Sequence, residues 1–128
     1  MGNCTEIRYK GVKMVYTNIE NCTGDAAIPV FRKVVEVASR YPDKSMLSLV
    51  NARGARFNSE LLSVIKDTVK KNNPKVKATA VFGLSSLTSL MVNSIISVTG
   101  RPMKLLESEE EAREWLYQQE LKTRSAAA

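Results

Sequence analysis

Residues 78–100 have the sequence ATAVFGLSSLTSLMVNSIISVTG and contain no charged residue, although charge is dense in the rest of the chain. A membrane-spanning helix needs about 20 predominantly apolar residues, and Ser, Thr and Asn interrupt this stretch too often for one. We therefore interpret it as a buried strand, a turn at Gly83 and a helix whose outer face is polar but uncharged. Such a face is where a partner or ligand is expected to bind.

Strands and helices alternate on both sides of this stretch. A β-hairpin is predicted around Lys10-Gly11, and helical spacing of apolar residues predicts a helix over residues 26–40. Short apolar runs predict further strands at 46–50, 76–82 and 103–106, with helices between them and after the last. This order predicts an α/β domain with a mixed, mostly parallel sheet flanked by helices.

Length and composition limit the class of protein. The chain has 128 residues, and we expect a single domain over 1–120 followed by a flexible or artificially added tail at 121–128. The start of the chain lacks the apolar segment of a signal peptide, so a cytoplasmic location is expected. Cys4 and Cys22 are the only cysteines and histidine is absent, so neither a metal site nor a cofactor is predicted.

Charge is distributed unevenly along the chain. Residues 107–120 hold six acids and one arginine, a net charge of −5, and because the total is +6 the remainder carries +11. Residues 66–77 hold five lysines and one aspartate, which could attract phosphate groups. No aromatic residue lies among them for base stacking, so nucleic acid is not the expected partner.

Two strand-to-helix turns are the places where a site is expected. In open α/β sheets, ligands and partners approach the carboxyl ends of the strands, which here lead into residues 51–59 and 83–86. The first turn has two arginines flanking a glycine, either an anion site or solvated charges. The candidate residues for a ligand or partner are Arg53, Gly54, Arg56, Asn58, Gly83, Ser85 and Ser86.

The helix after Gly83 carries small polar residues at regular spacing. Ser85, Ser89, Asn93 and Ser97 follow an i, i+4 pattern and therefore form one stripe. Small polar side chains let another surface approach without burying charge, so the stripe is a candidate interface of a homodimer or a ligand-facing wall. The alternative is that the chain itself covers the stripe, for instance with its acidic C-terminal helix.

Catalysis is not predicted. Without histidine, acid–base chemistry would need carboxylates, lysine or tyrosine, and the two candidate turns contain no aspartate and only Glu60 as an acid. The sequence also lacks the nucleophile elbow and the glycine-rich phosphate loop. We therefore expect a protein without enzymatic activity.

A family resemblance is carried by four segments: MLSLVNARGARF at 46–57, KATAVFGLSSL at 77–87, TGRP at 99–102 and EEAREWL at 110–116. Together with the hairpin and the first helix, they resemble the SpoIIAA-like, or STAS/SEC14, family of small bacterial and archaeal proteins, over roughly residues 6–118. The resemblance implies a STAS-like fold related to anti-sigma factor antagonists, STAS domains of sulfate transporters and lipid-binding SEC14 domains.

The same resemblance implies a phosphorylation site. In the antagonists, a kinase modifies a serine of an Asp-Ser-Ser-Gly sequence at the start of a helix, and Ser59 matches that serine. Asn58 stands in place of the aspartate, and Glu60-Leu61 in place of Ser-Gly. A phosphate at a helix N-terminus is electrostatically favourable. The alternative is that Ser59, or Asn58 beside it, is the cap of this helix, since either side-chain oxygen can accept a hydrogen bond from a free N–H.

These observations predict a non-catalytic binding or regulatory domain that acts on a protein partner, a second copy of itself, or a small apolar or anionic ligand. Two alternatives stay open. One is a phosphorylation-switched anti-sigma factor antagonist that uses Ser59, and the other is a carrier of a small apolar or lipid-like ligand in a cavity lined by residues 84–98.

Overall fold

One five-stranded sheet organises the molecule. The computed structural model describes residues 2–96 and 102–127. The strands are β1 (Asn3–Tyr9), β2 (Val12–Asn18), β3 (Met46–Asn51), β4 (Val76–Phe82) and β5 (Met103–Leu106), and the helices are α1 (Gly24–Ala38), α2 (Ser59–Asn72), α3 (Ser86–Ile96) and α4 (Glu109–Ala127). The strands lie in sequence order, with β1 antiparallel to β2 and all other neighbours parallel.

The sheet has a separate apolar cluster on each face. On one face, Val15, Val50 and Val81 pack with buried residues of α1 and α2, such as Phe31 and Ile65. On the other face, the alternate residues of the strands, which include Leu49 and Phe82, pack against Ala112 and Leu116 of α4. β3 is buried at all six positions because helices cover both sides of it, as expected for a central parallel strand.

Local sequence signals set the starts of the helices. Thr23 is the N-cap of α1 and accepts a hydrogen bond from Ala26 N–H, so this helix begins two residues before the predicted start. Asn58 is the N-cap of α2, and Ser108 Oγ accepts a hydrogen bond from Glu111 N–H at the start of α4. In each case a side-chain oxygen satisfies an N–H that has no partner within the helix.

The C-terminal helix is longer than the sequence predicts. Residues 121–127 continue α4, whereas the sequence predicts a tail over 121–128. Two interactions of the i, i+4 type support the extension: Arg124 pairs with Glu120 at 2.9 Å, and the Thr123 hydroxyl donates to Gln119 O. Glu120 also pairs with Lys77 of β4 at 2.5 Å, which ties the middle of α4 to the sheet.

Candidate functional site

The carboxyl ends of three parallel strands lie side by side. Asn18, Asn51 and Phe82 are the last residues of β2, β3 and β4, and they are paired in register. Backbone hydrogen bonds continue past the strand ends, from Asn21 N–H to Arg53 O at 2.8 Å and from Ala52 N–H to Phe82 O at 3.0 Å. The turns that follow the three strands therefore form one continuous edge, which includes both turns predicted from the sequence.

Two glycines allow these turns to approach each other closely. Gly83 has a φ of +86°, and a Cβ there would lie 2.9 Å from the backbone N of Arg53. Gly54 has a φ of +65°, and a Cβ there would lie 2.2 Å from Asn21 Oδ1. Any other residue would combine a left-handed backbone with a steric clash. The turns are consequently packed closely against each other.

Arg53 and Arg56 present their side chains to solvent on this edge. The Arg53 guanidinium carbon lies 5.2 Å from the centre of the Phe82 ring, a distance typical of a cation–π contact. Within residues 2–96 and 102–127, neither arginine forms an ion pair with a carboxylate. Two positive charges are thus available to an external anion.

Asn58 and Ser59, two neighbouring candidate residues, have different roles at the start of α2. Asn58 Oδ1 accepts a hydrogen bond from Leu61 N–H at 2.8 Å, so Asn58 is the cap. Ser59 is the first helical residue and is exposed. Of the two residues predicted as possible caps, Asn58 is therefore confirmed, and the interpretation of Ser59 as the cap is wrong. At the start of α3, Ser85 has the corresponding role, because its Oγ accepts a hydrogen bond from Thr88 N–H.

A partly buried polar network, which the sequence does not reveal, supports the same edge. Asn51 is only 2% exposed; its Nδ2 donates to Tyr16 Oη at 3.1 Å and to Glu20 Oε1 at 2.9 Å. Its Oδ1 accepts from Arg53 N–H at 3.1 Å, and the Tyr16 hydroxyl donates to Glu109. Burial, and to a smaller extent Glu109, raises the pKa of Tyr16. Asn51 thus fixes the backbone at Arg53, in the turn that carries Arg53 and Arg56.

The network could not be recognised along the chain because its members come from β2, β3 and α4. The one hint in the sequence is the position of Asn51 at the end of an apolar strand, because an amide in a buried strand needs hydrogen-bond partners.

The outer face of α3 is not covered by α4. Ser85, Ser86 and Asn93 are exposed, Ser89 is partly buried, and Leu90 is 70% exposed. The acidic helix α4 packs on the opposite face of the sheet, so the interpretation that it covers the stripe is wrong. Ser97, the last member of the predicted stripe, lies outside the described residues. Use of this face as an interface stays a prediction.

A partly open cavity lies beneath the same helix. It has a volume of about 80 Å³ and lies between the sheet and helices α1, α2 and α3, which contribute Phe31, Ile65 and Val92. Val92 of α3 is buried. The described lining is largely apolar, and its polar groups are the hydroxyls of Thr17, Ser48, Thr68 and Thr79 and the amide of Asn72.

Neither a metal-binding cluster nor a membrane-spanning helix is found in the described part of the chain. Across the part of the chain that the structure describes, no group of three Cys, Asp or Glu residues is placed to hold a metal ion. None of the described helices has the length and apolar character needed to span a membrane.

Comparison with solved structures shows that the fold is SpoIIAA-like, as the sequence resemblance predicts. A similar solved structure is that of an uncharacterized protein of the DUF3478 family, with a SpoIIAA-like fold, from Shewanella loihica PV-4. The two align with a TM-score of 0.72 over 91% of this chain and 95% of that chain, at 12% identity. At this identity the likeness establishes the fold alone. No protein-family model and no curated protein matches the sequence.

Proposed function

We propose that this chain is a non-catalytic binding domain that recognises an acidic segment of a partner protein at the carboxyl edge of its sheet. The observation that carries the proposal is the pair of exposed arginines, Arg53 and Arg56, held on turns that two glycines and Asn51 lock in place. Because a preformed surface loses little conformational entropy on binding, such turns favour recognition.

The surroundings of the arginines support an anionic partner. α3 begins next to them and, unlike the other three helices, has no acidic residue in its first turn. The partial positive charge of its N-terminus is therefore not offset locally. Ser85 and Ser86 are small and exposed, so an extended acidic segment could lie over them and reach Arg53.

Titration with a hexaglutamate peptide, followed by amide shifts in NMR spectra, tests the proposal. We expect saturable shifts at residues 53–56 and 83–86. Replacing both arginines, Arg53→Gln with Arg56→Gln, should weaken binding at least about tenfold, since hydrogen bonds to charged groups contribute about 1.5–3 kcal/mol.

A charge-matched control separates a specific site from general attraction. Lys70 and Lys71 are exposed in the last turn of α2, at the opposite end of the helix from Asn58. Lys70→Gln with Lys71→Gln removes the same charge and should leave binding within about twofold. Equal losses in the two double variants would show that only net charge matters, which contradicts the proposal.

A phosphorylation-switched antagonist is the second candidate function. Exposure of Ser59, together with the cap role of Asn58, leaves the Ser59 hydroxyl outside the cap and open to a kinase. Glu60 in the same turn would repel the added phosphate. Mass spectrometry of the chain isolated from its native cells tests this candidate, and Ser59 unmodified in every growth condition would oppose it.

A further inference from the structure

The two edges of the sheet differ in how they are protected. β5, at one edge, has four residues, follows Pro102 and exposes Lys104, which are features that keep an edge from pairing with another chain. β1, at the other edge, has seven residues, contains no proline and pairs with β2 without a register shift. A long, regular edge strand offers a row of unpaired N–H and C=O groups. β1 is therefore the edge at which a further strand can be added.

Backbone groups of Cys4, Glu6 and Arg8 point away from the sheet. Ile19 N–H donates to Asn51 O at 2.9 Å, so the odd-numbered residues of β2 bond to β3 and the even-numbered residues bond to β1. The register of the hairpin pairs even-numbered residues of β2 with odd-numbered residues of β1. Because successive residues alternate in direction, the even-numbered residues of β1 direct N–H and C=O outward, where no further strand lies in the described sheet.

Glu6 and Arg8 bring opposite charges to this edge. Both are exposed, and because they are two residues apart, their side chains lie on the same face of the sheet. Glu6 Oε2 accepts a hydrogen bond from the Tyr41 hydroxyl and lies 3.7 Å from Lys13 Nζ, and Oε1 takes part in neither contact. Among the described residues, Arg8 pairs with no carboxylate, and its Nη1 donates to Gly11 O at 3.4 Å. Both side chains can therefore accept a further ionic partner.

These charges select one register for two copies of β1 that pair antiparallel about a two-fold axis. An axis at Glu6 or at Arg8 places two like charges directly opposite each other, which is destabilising. An axis at Thr5 leaves Arg8 without an opposite carboxylate. An axis at Ile7 places Glu6 of each copy opposite Arg8 of the other, and each such pair exchanges both of its backbone hydrogen bonds. In this register the strand is complementary in charge to a second copy of itself.

We propose that β1 is a homodimer interface, at which two copies of the chain join antiparallel about an axis at Ile7 and form one continuous sheet. Ile7 is half-buried beside the apolar cluster under α4, so its remaining exposed surface would be covered by the same residue of the second copy. Because a contact limited to one strand is small, the dimer is expected to be weak and reversible. The inference depends neither on Arg53 and Arg56 nor on the serine face of α3.

Reciprocal charge variants of the full chain test the register in sedimentation velocity experiments. Arg8→Glu leaves only acids at the facing positions and Glu6→Arg leaves only bases, so each variant alone should dimerise at least about tenfold more weakly than the wild type. An equimolar mixture of the two should recover the dimer, because acids again face bases. Lys70→Glu, exposed in α2, changes the net charge as Arg8→Glu does and should leave the Kd within about twofold.

Amide exchange measured by NMR is a second readout that does not depend on the variants. The amides of Glu6 and Arg8 find partners only across the interface, so their exchange in the wild type should slow as the protein concentration rises to about 1 mM. The amide of Ile7, which faces Met14 within the hairpin, should change much less.

The proposal is overturned if the wild type remains monomeric at about 1 mM, or if Arg8→Glu dimerises as well as the wild type, which would place the contact elsewhere. Exchange of the Glu6 and Arg8 amides that does not vary with concentration would overturn it as well. Failure of the mixture to recover the dimer, with both variants folded by circular dichroism, would exclude the register at Ile7.

Discussion

Single residues at the carboxyl edge of the sheet determine how closely its turns approach. Gly83 and Gly54 both have positive φ angles, and both lie against atoms of a neighbouring turn. Gly11, at the tip of the hairpin, has a φ of +80° but nothing within 4 Å of where its Cβ would be. All three glycines therefore have a positive φ, but only Gly54 and Gly83, at the candidate site, are also closely packed.

Gly83→Ala should destabilise the protein more than Gly11→Ala. A left-handed conformation costs a non-glycine residue about 1–2 kcal/mol, and this cost applies at both positions. At Gly83 the new methyl would also collide with the backbone of Arg53, which adds a packing cost of about 1–3 kcal/mol. Urea unfolding of the two variants measures the difference, and equal losses would show that the turns are not closely packed.

Glu114 illustrates how one residue joins the hairpin to α4. Its carboxylate accepts hydrogen bonds from Lys10 Nζ at 2.8 Å, Gln118 Nε2 at 2.7 Å and Tyr9 Oη at 2.9 Å. These donors, Lys10 first, lower the pKa of Glu114 to about 2. Because the folded pKa is depressed, the stabilisation is present above the ordinary pKa of 4.5 and is lost as the pH falls towards 2.

A carboxyl-detected NMR titration should give a midpoint for Glu114 near 2 in the wild type. Lys10→Met removes the main donor and should raise the midpoint towards 4.5. Lys13→Met is the control, because Lys13 pairs with Glu6 at 3.7 Å and not with Glu114. A wild-type midpoint near 4.5 would contradict the hydrogen-bonded arrangement.

At the scale of the element, the start of α2 depends on one side chain. Asn58 caps the helix and also packs against Gly24 at the start of α1, whereas Ser59 is exposed in the first turn. The two residues are adjacent and both are polar, so the sequence did not decide between them. The extended backbone of Asn58, with φ −129° and ψ 175°, identifies it as the cap.

Asn58→Ala should lower the free energy of unfolding by about 1 kcal/mol, the usual cost of removing a cap. Ser59→Ala should change it by less than about 0.5 kcal/mol, as is typical of exposed positions. Asn58→Asp retains a capping oxygen and should recover most of the loss. If Ser59→Ala proves the more damaging variant, the assignment of the cap is wrong.

At the scale of the whole molecule, both faces of the sheet have to be covered. α4 covers one face with Ala112 and Leu116, both fully buried. α1 and α2 cover the other, together with Val92 of α3 at the cavity. Since strand side chains alternate between the faces, loss of either layer would expose half of the core.

Leu116→Ala should destabilise the protein by about 2–5 kcal/mol, because it opens a cavity in a closely packed layer. Leu90→Ala removes the same atoms from a side chain that is 70% exposed on α3 and should change stability by less than about 0.5 kcal/mol. Chemical denaturation of both variants measures the contrast. A comparable loss at Leu90 would show that α3 is covered in solution, which would favour the interface prediction.

The sequence by itself determined the order and type of the elements, since hydrophobic periodicity and capping residues are local properties. β4 and β5 begin and end where predicted, and the uncharged stretch after Lys77 divides into strand, turn and helix as expected. The exception is residues 121–127, which continue α4 where a tail was predicted. The helix is extended by favourable i, i+4 side-chain pairs, and the amino-acid composition of this segment does not indicate them.

Only the tertiary structure decided which residues meet. Asn51, Tyr16 and Glu109 lie far apart along the chain and join through β2, β3 and α4. The placement of α4 on the opposite side of the sheet left the serine face of α3 uncovered by it. Likewise, the cavity between the sheet and helices α1, α2 and α3 became visible only in the folded chain, because burial and contacts depend on packing between distant segments.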